Sequence, residues 1–467
     1  MIIMKRFFKR FNILITVITF PVLTSGCSLV PDFEMPSFEL PSFWNYESEP
    51  ENISSKEIDL EWWKEFGDDN LNKIMQEALD NNNDLRSSIA RINQSRASLK
   101  IKNASLFPDI TGAASSSTSR TETSSSNSSS NSFTSGVDVS YQLDLFGSES
   151  ADRQSAQASL KSTEFRESAL RLTVLSDTAN AYFNLISSKE RLDIANENLQ
   201  SAKYLLEIVQ SRFDVGRLSY LELSQQKSAY ASVLAARASA EENLKNAENS
   251  LSILLGKLPT KITTQKKSLD AIRVPTIATG LPSELLQRRP DIAEDEQDLI
   301  AANANIGIAR AALFPSINLT SGADISAASL GGSATNVLSA ASSLSVPIFK
   351  GGSIFAELDR VKERQNELIE NYRKTVITAF REVEDAIAAV RSNGDRERQL
   401  RISKEEAEKS YDLSLQLFEA GSIDFQNLLD SQRSMLTARD SYSQAKLSRL
   451  TAAVSLYKAL GGGFRKN

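Results

Sequence analysis

The sequence contains two copies of one long unit, and this duplication limits the folds that the chain can adopt. The stretch ASLFPDI (104–110) returns as AALFPSI (311–317), and RFDVGRLSYLEL (212–223) returns as LFEAGSIDFQNL (417–428). The offset is 207 residues for the first pair and 205 residues for the second. A repeat of about two hundred residues is much longer than the units of solenoid proteins. We therefore predict that the two halves of the chain have the same fold.

Each unit is predicted to begin with a helix and to continue with a pair of strands. Apolar residues at three- and four-residue spacing precede each Leu-Phe-Pro, and proline disfavours the helical conformation of the residue before it. Apolar and polar residues then alternate, as in GVDVSYQLDLF (136–146) and INLTSGADI (317–325), which predicts strands of about ten residues. The serine-rich stretch SSSTSRTETSSSNSSSNS is predicted to be a flexible loop between the first two strands. The predicted strands lie at about 107–119, 134–146, 314–326 and 337–349.

Long helices are predicted after the second strand of each unit. Apolar residues of the first long helix recur at intervals of three and four, as in packed coiled coils: Leu199, Ala202, Leu206, Val209 and Phe213. Gly216 and Gly421 follow at matching positions, and glycine suits the end of a helix because it lacks a Cβ. We therefore predict that each unit contains a helical hairpin that turns at its glycine.

The N-terminus has the features of a bacterial export signal. A basic segment (1–10) precedes an apolar run (11–23) that is too short to span a membrane comfortably, and Cys27 of TSGC is the only cysteine. TSGC resembles the lipobox of bacterial lipoproteins, although Thr24 takes the place of the usual leucine. We predict that Cys27 is lipidated, and an ordinary signal peptide with an incidental cysteine is the alternative. The predicted segments are a signal peptide (1–26), a lipidated linker (27–61), a first repeat (62–264) and a second repeat (265–467).

The composition argues against several kinds of chemistry. The 467 residues include no histidine and one cysteine, so neither a Ser-His-Asp nor a Cys-His nucleophile can form, and no histidine metal site can form. The net charge of -6 gives no reason to expect nucleic acid as a partner. We therefore expect no catalytic residues, no metal and no cofactor, and a periplasmic enzyme receives little weight.

Strands with one apolar and one polar face are typical of transmembrane β-barrels. Four strands cannot close a barrel, and lipid does not tolerate open sheet edges, so several chains must share one barrel. Two copies would give eight strands, and three would give twelve, which leaves room for a passage. Aromatic residues mark the helix-side ends of the predicted strands, as a girdle at the membrane interface would: Phe107, Phe146, Phe314 and Phe349. The alternative is a small soluble sheet packed on helices.

Several longer motifs accompany the lipobox and the paired glycine turns. They are LEWWKEFGDDNL (60–71), LLQRRPDI (285–292), ANIGIARAALFPSI (304–317) and VPIFKGG (346–352). Together these motifs resemble the TolC-like outer-membrane efflux proteins, in the lipoprotein branch associated with tripartite RND pumps. The resemblance covers nearly the whole chain. It implies a mostly helical homotrimer in the outer-membrane lipid, with a twelve-stranded β-barrel on a long periplasmic α-barrel. It also implies a periplasmic adaptor and an inner-membrane RND transporter as partners.

The resemblance further implies two functional sites at the glycine turns. In the family, acidic residues just after the second turn line a closed gate, and the matching positions are Asp430 and Asn427, with Glu222 in the first unit. Stabilisation of a helix N-terminus is the alternative role for these acids. The turns face the adaptor in the family, and simple helix capping is the alternative. The implied docking residues are Arg212, Val215, Gly216, Arg217, Leu218, Ala420, Gly421, Ser422 and Ile423.

The predicted function is that of a passive exit duct for small molecules such as drugs or toxic compounds. One alternative keeps the channel but assigns it to the export of proteins or peptides by a type I secretion system. Another is a lipid-anchored coiled-coil scaffold without a pore. The sequence does not identify the cargo, because selection in such pumps would lie in the transporter.

Overall fold

A computed structural model describes residues 28–45, 58–262, 268–328 and 332–466. The chain divides into two compact units, and each unit is built from several separate segments. Unit 1 comprises Met1–Met35, Ser95–Leu160 and Gln297–Ile369, and unit 2 comprises Pro36–Gln94, Lys161–Glu296 and Glu370–Asn467. Cys27 and the predicted signal peptide lie outside the described residues, so the lipidation of Cys27 stays a prediction.

The two repeats contain corresponding elements in the same order, but the first helix is reduced to a single turn in the second repeat. The first consists of α1 (Asp69–Asn81), α2 (Asn83–Ala104), β1 (Asp109–Thr123), β2 (Ser126–Leu143), α3 (Ser148–Asp214) and α4 (Tyr220–Leu254). The second consists of a helical turn (Leu285–Arg288), α5 (Pro290–Ala311), β3 (Ser316–Ala327), β4 (Ala334–Ser345), α6 (Ser353–Glu419) and α7 (Phe425–Ala459). A short 3-10 helix, Trp62–Phe66, precedes α1.

The long helices of the two repeats match in length. Both α3 and α6 have 67 residues, and both α4 and α7 have 35 residues. Each bound of α6 and α7 lies 205 residues after the matching bound of α3 and α4. Neither Gly nor Pro occurs within α3, α4 or α7, which removes the two residues that most disfavour a helix interior. None of the described helices is both long and apolar enough to cross a membrane.

The strands form one antiparallel sheet in the order β1-β2-β3-β4. Its register continues the predicted alternation from strand to strand. Tyr141 of β2 lies opposite Leu319 of β3, whereas the neighbouring Gln142 lies opposite Asn318. Ile317 of β3 in turn pairs with Leu344 of β4. Since paired residues point to the same side of a sheet, one face is largely apolar and the other is largely polar.

The serine-rich stretch is strand, and the prediction of a flexible loop was wrong. β1 continues to Thr123 and β2 starts at Ser126, and these two residues pair across the turn. The polar composition shows only that this ribbon buries nothing. The hydrogen bonds of an antiparallel pair join backbone N–H and C=O groups. Serine provides both groups, as every residue except proline does. At their other ends β1 and β3 begin at Asp109 and Ser316, two residues later than predicted, because each strand starts after the proline.

Two apolar clusters organise unit 2. The larger cluster gathers aromatic side chains from the N-terminal 3-10 helix, α3 and α7: Trp62, Trp63, Phe66, Tyr182, Phe183 and Tyr457. The ring of Trp62 stacks on that of Tyr457 with centroids 5.0 Å apart. The smaller cluster lies where α3, α4, α6 and α7 meet near the glycine turns. These clusters fix the four long helices of the two repeats against one another within this unit.

Candidate functional site

The two glycine turns have the same backbone conformation. Gly216 and Gly421 adopt φ angles of 72° and 74°, in the left-handed region that residues with a Cβ rarely adopt. In each turn the amide after the glycine donates to the carbonyl oxygen five residues back at 2.8 Å: Arg217 to Arg212 and Ser422 to Leu417. This is the Schellman arrangement, which satisfies the last carbonyl groups of α3 and α6. The duplicated sequence therefore produces a duplicated turn.

Side-chain caps start the helices that leave the turns. The amide of Ser219 donates to Glu222 Oε2 at 2.6 Å, and the amide of Glu222 donates back to Ser219 Oγ at 3.4 Å. This reciprocal capping box uses the carboxylate of Glu222 at the start of α4. In the second repeat the amide of Asn427 donates to Asp424 Oδ1 at 2.9 Å at the start of α7. Glu222 thus has the capping role that the sequence offered as its alternative.

A polar tie joins the ends of α3 and α6. Arg212 Nη2 donates to the carbonyl oxygen of Glu419 at 3.0 Å, and its guanidinium lies 4.3 Å from the ring centroid of Phe418. The hydroxyl of Tyr204 donates to Glu419 Oε1 at 3.0 Å. This hydrogen bond and the charge of Glu419 raise the pKa of Tyr204. The two turns are therefore held side by side.

Apolar side chains support the turns from below. The buried cluster beneath them contains Leu205, Val209, Leu223, Tyr411, Phe418, Phe425, Leu428, Leu429 and Met435. Leu218 and Ile423, two predicted docking residues, are half-buried and pack against this cluster. Arg212 is also half-buried, whereas the other predicted docking residues are exposed: Val215, Gly216, Arg217, Ala420, Gly421 and Ser422.

Two exposed apolar residues at the turns were missed by the sequence analysis. Tyr220 and Leu221 are 68% and 66% exposed, and Val215, which precedes Gly216 in the same turn, is 68% exposed. The capping signal of Ser219 could have indicated them. Since Leu223 takes the buried position of the first turn of α4, the two residues after the cap fall on the outer face. The first glycine turn therefore presents an apolar surface to solvent.

Two of the predicted gate residues, Asp430 and Asn427, lie on the exposed side of α7. Both carboxylate oxygens of Asp430 accept hydrogen bonds from Gln426 Nε2, at 3.1 and 3.2 Å. Arg433 Nη1 lies 3.8 Å from the same carboxylate. Asn427 is exposed one helical turn earlier. Asp430 therefore offers an accessible negative charge that one neighbouring arginine offsets in part. Across the described parts of the chain, no three acidic or thiol side chains converge as a metal site would require.

Only two of the predicted interface aromatics lie together. The rings of Phe146 and Phe314 stack at 4.8 Å with an angle of 21° between their planes. Phe146 follows the end of β2 and Phe314 precedes β3, and these strand ends are paired. Phe107 and Phe349 are 70% and 87% exposed. The arrangement in a membrane interface stays a prediction for all four.

The N-terminal residues of the described chain lie on α5. Asn303 Nδ2 donates to the carbonyl oxygen of Pro31 at 2.7 Å, and Arg310 Nη1 donates to that of Leu29 at 3.4 Å. A Cβ at Gly307 would come within 2.6 Å of the side chain of Val30, so the glycine permits this close approach. The chain directly after Cys27 is thus held near the end of α5, just before β3 begins.

Comparison with known proteins identifies the family. The family described as outer membrane efflux protein matches residues 74–257 and 281–462, once in each repeat. The chain belongs to the outer membrane efflux protein family. It is 36% identical over 423 residues to the pyoverdine export outer membrane protein OpmQ of Pseudomonas aeruginosa, covering 87% of this chain and 88% of that protein. It is 32% identical over 454 residues to the cation efflux system protein CusC of Escherichia coli, covering 94% of this chain and 97% of that protein.

Solved structures of outer-membrane channels share the fold. The CmeC outer membrane channel of Campylobacter jejuni superposes with a TM-score of 0.85 at 28% identity, over 94% of this chain and 96% of that one. The predicted fold class, with long coiled helices and a β-hairpin in each of two tandem repeats, is confirmed. So are the outer-membrane location and the function as an efflux channel.

Proposed function

We propose that three copies of this chain form one barrel that serves as the exit channel of a tripartite efflux pump. The observation that carries this proposal is a two-faced sheet whose outer strands, β1 and β4, each leave an edge open. Lipid does not tolerate unpaired backbone groups at a sheet edge. Pairing β4 of one copy with β1 of the next would satisfy these edges, and twelve strands would leave room for a passage.

The two faces of the sheet suit the two environments of such a barrel. The apolar face, with residues such as Val137, Leu319 and Leu344, would contact lipid. The polar face would line the passage. On that face Asp138 lies opposite Gly322 and Asp324 lies opposite Gly136, so that two carboxylates occupy neighbouring strands. Such charges favour a water-filled passage over a packed interior.

The cargo is proposed to be small molecules or ions, and the channel carries out no chemistry on it. Relatives of similar identity have names that refer to different cargo: pyoverdine export for OpmQ and cation efflux for CusC. This variety supports a passive duct whose selectivity resides in its partners. We propose these partners to be a periplasmic adaptor and an inner-membrane RND transporter.

We also propose that lipid attached to Cys27 anchors the chain. The contacts of Leu29 and Pro31 with α5 support this proposal, because they hold the N-terminal segment close to the start of β3. A membrane-bound strand and a lipid chain need to meet the bilayer at the same end of the protein.

The channel proposal can be tested by deletion of the chain and by reconstitution of the purified protein. We expect the deletion to increase susceptibility to a panel of drugs, dyes and metal ions, and the purified trimers to conduct ions in planar bilayers. Monomers without conductance would support a scaffold. Unchanged susceptibility combined with loss of a secreted protein would support type I secretion.

Replacement of Asp430 with alanine tests the proposed gate. Three symmetry-related carboxylates would attract cations, so we expect Asp430→Ala to lower the cation selectivity of single channels and to raise their resting conductance. Asp395 provides a matched control, because its partner Arg398 also lies three residues further along an exposed helix face, at 3.4 Å. If Asp430→Ala and Asp395→Ala both behaved like the wild type, Asp430 would not be a gate residue.

A charge on the exposed apolar surface of the first turn tests the proposed adaptor docking. Val215→Asp removes nothing from the core, because Val215 is 68% exposed. We expect it to weaken crosslinking to the adaptor about tenfold or more, as for a central contact residue, and to raise drug susceptibility. Leu258→Asp is the control, at a residue that is 84% exposed and outside the turns. Equal crosslinking for both variants would argue against docking at this turn.

A further inference from the structure

A group of apolar side chains lies exposed where β4 leads into α6. The segment 346–352 joins these two elements. Ile348 and Phe349 are 93% and 87% exposed, and Phe355, in the first turn of α6, is 63% exposed. Folding of the chain therefore leaves these three side chains uncovered. We call residues 346–355 the β4–α6 joint.

The β4–α6 joint continues the apolar face of the sheet. Leu344 of β4 lies opposite Ile317 on that face and is 64% exposed. Val346 and Ile348 follow Leu344 at intervals of two residues, and both are exposed. The chain is an outer-membrane protein, and an apolar face that contacts lipid ends where the lipid headgroups begin. In the proposed barrel the joint therefore lies at the level of the headgroups, on the helix side.

A lysine follows these apolar side chains directly. Lys350 is exposed, and none of the ion pairs among the described residues includes it. Gly351 and Gly352 come next, with φ of 60° and 84°. No atom of the described residues lies within 4 Å of a Cβ added to either glycine. Lys350 is thus bordered by open space and has no counter-ion within the described chain. A lysine at a membrane surface is attracted to the phosphates of lipids.

The two repeats start their long helices differently. In the first repeat the carboxylate of Asp144 accepts from the amides of Glu149 and Ser150 at 3.1 and 2.8 Å, which places a negative charge at the start of α3. The corresponding position of the second repeat, 203 residues later, is Pro347. The first turn of α6, which the structure describes in full, contains no acid. The anion that the first repeat supplies from its own chain is therefore replaced at α6 by the cation Lys350.

A cavity of about 340 Å³ brings this lysine together with apolar walls. Lys350, Val346 and Pro347 line it from the joint, and the stacked rings of Phe146 and Phe314 line it from the other strand ends. A ligand that matches the cavity and the exposed side chains needs both a negative charge and an apolar chain. A phospholipid has both, whereas a free phosphate ion has only the charge.

We propose that the β4–α6 joint binds a phospholipid from the inner leaflet of the outer membrane. The phosphate of this lipid pairs with Lys350, and its acyl chain packs against Ile348, Phe349 and Phe355. The inference rests on the proposed barrel, which directs the apolar face of the sheet to lipid. Each copy in a trimer binds one such lipid. The bound lipids fix the level at which the start of α6 meets the membrane surface.

Native mass spectrometry of purified trimers measures lipid binding directly. We expect wild-type trimers to retain phosphatidylglycerol and to lose diacylglycerol, which lacks the phosphate. Lys350→Gln should lower the apparent affinity for phosphatidylglycerol about fivefold, the effect of one lysine at a membrane surface. The matched control is Lys374→Gln, which removes an exposed lysine about 30 Å further along α6 and should leave the affinity unchanged.

Equal affinities of the wild type and Lys350→Gln for phosphatidylglycerol would overturn the lipid site. Equal retention of phosphatidylglycerol and diacylglycerol by the wild type would also overturn it, because the phosphate would then not be recognised. If a neighbouring copy of the chain covered the joint instead of lipid, Phe349→Ser would dissociate the trimers, and this result too would contradict the proposal. Wild-type trimers that retain the lipid but do not conduct ions would instead overturn the proposed channel function.

Discussion

Gly461→Ala is expected to destabilise the folded chain by about 3–5 kcal/mol, because the added Cβ would both strain the backbone and clash with a neighbouring carbonyl group. Gly461 ends α7 with φ of 88°, where a residue with a Cβ is strained. A Cβ at this position would also lie 1.9 Å from the carbonyl oxygen of Arg288, which is backbone and cannot move aside as a side chain can. Thermal unfolding of the purified protein, followed by near-ultraviolet circular dichroism, would measure the effect.

Two other glycines provide graded controls for this prediction. Gly256 ends α4 at the matching position, with φ of 66° and the carbonyl oxygen of Asn81 only 2.3 Å from an added Cβ. Gly216 has a similar φ of 72°, but no atom lies within 4 Å of an added Cβ. Gly216→Ala should therefore cost only about 1 kcal/mol, for the backbone alone. Equal unfolding temperatures for the Gly216 and Gly461 variants would show that the clash with the carbonyl group of Arg288 does not contribute to the loss of stability.

Arg289→Ala is expected to cost about 2–3 kcal/mol, because it removes a buried guanidinium and its hydrogen bonds to two half-buried acids and a helix end. The guanidinium donates to both oxygens of Asp291, at 3.0 and 2.6 Å, and to Glu382 at 2.7 Å. It also reaches the carbonyl oxygen of Ala459, the last residue of α7, at 3.3 Å. Burial opposes its charge, but the hydrogen bonds to the two acids outweigh burial and raise the pKa of Arg289. We expect fewer trimers in the outer membrane and a lower unfolding temperature.

An exposed arginine on α6 separates this effect from loss of charge. Arg381 forms a 2.7 Å ion pair with Asp385, and its side chain is 62% exposed, compared with 10% for Arg289. Exposed pairs contribute about 0–1 kcal/mol, so Arg381→Ala should leave trimer abundance and unfolding temperature almost unchanged. If Arg289→Ala were equally harmless, the acids around it would have to be satisfied by other groups.

The features that the sequence predicts are those that depend on near neighbours in the chain. The glycine turns are visible because Gly216 and Gly421 must adopt a positive φ, whatever packs around them. The strands at 136–146 and 317–325 are visible because alternation reflects their two faces. The duplication adds a second instance of each signal and thereby strengthens both.

The features that escaped prediction depend on residues far apart in the chain. The buried ammonium group of Lys446 lies 2.5 Å from Glu190, 256 positions away, and no periodicity links a lysine in one repeat to a glutamate in the other. Asp270, which also binds Lys446, belongs to a segment with neither helical nor strand periodicity. The serine-rich ribbon was wrongly predicted to be a loop, because its polar composition indicates only that its side chains are not in a core. Its strand pairing depends on hydrogen bonds between backbone groups.

The equal lengths of the two helical hairpins constrain how this sequence can have changed. The hydrogen bond from Arg212 to Glu419 joins the ends of α3 and α6. A deletion in one hairpin would therefore need a matching deletion in the other to keep this contact. Substitutions face no such condition, and the repeats differ at most of their corresponding positions. The two hairpins can therefore differ in side-chain chemistry while they remain equal in length.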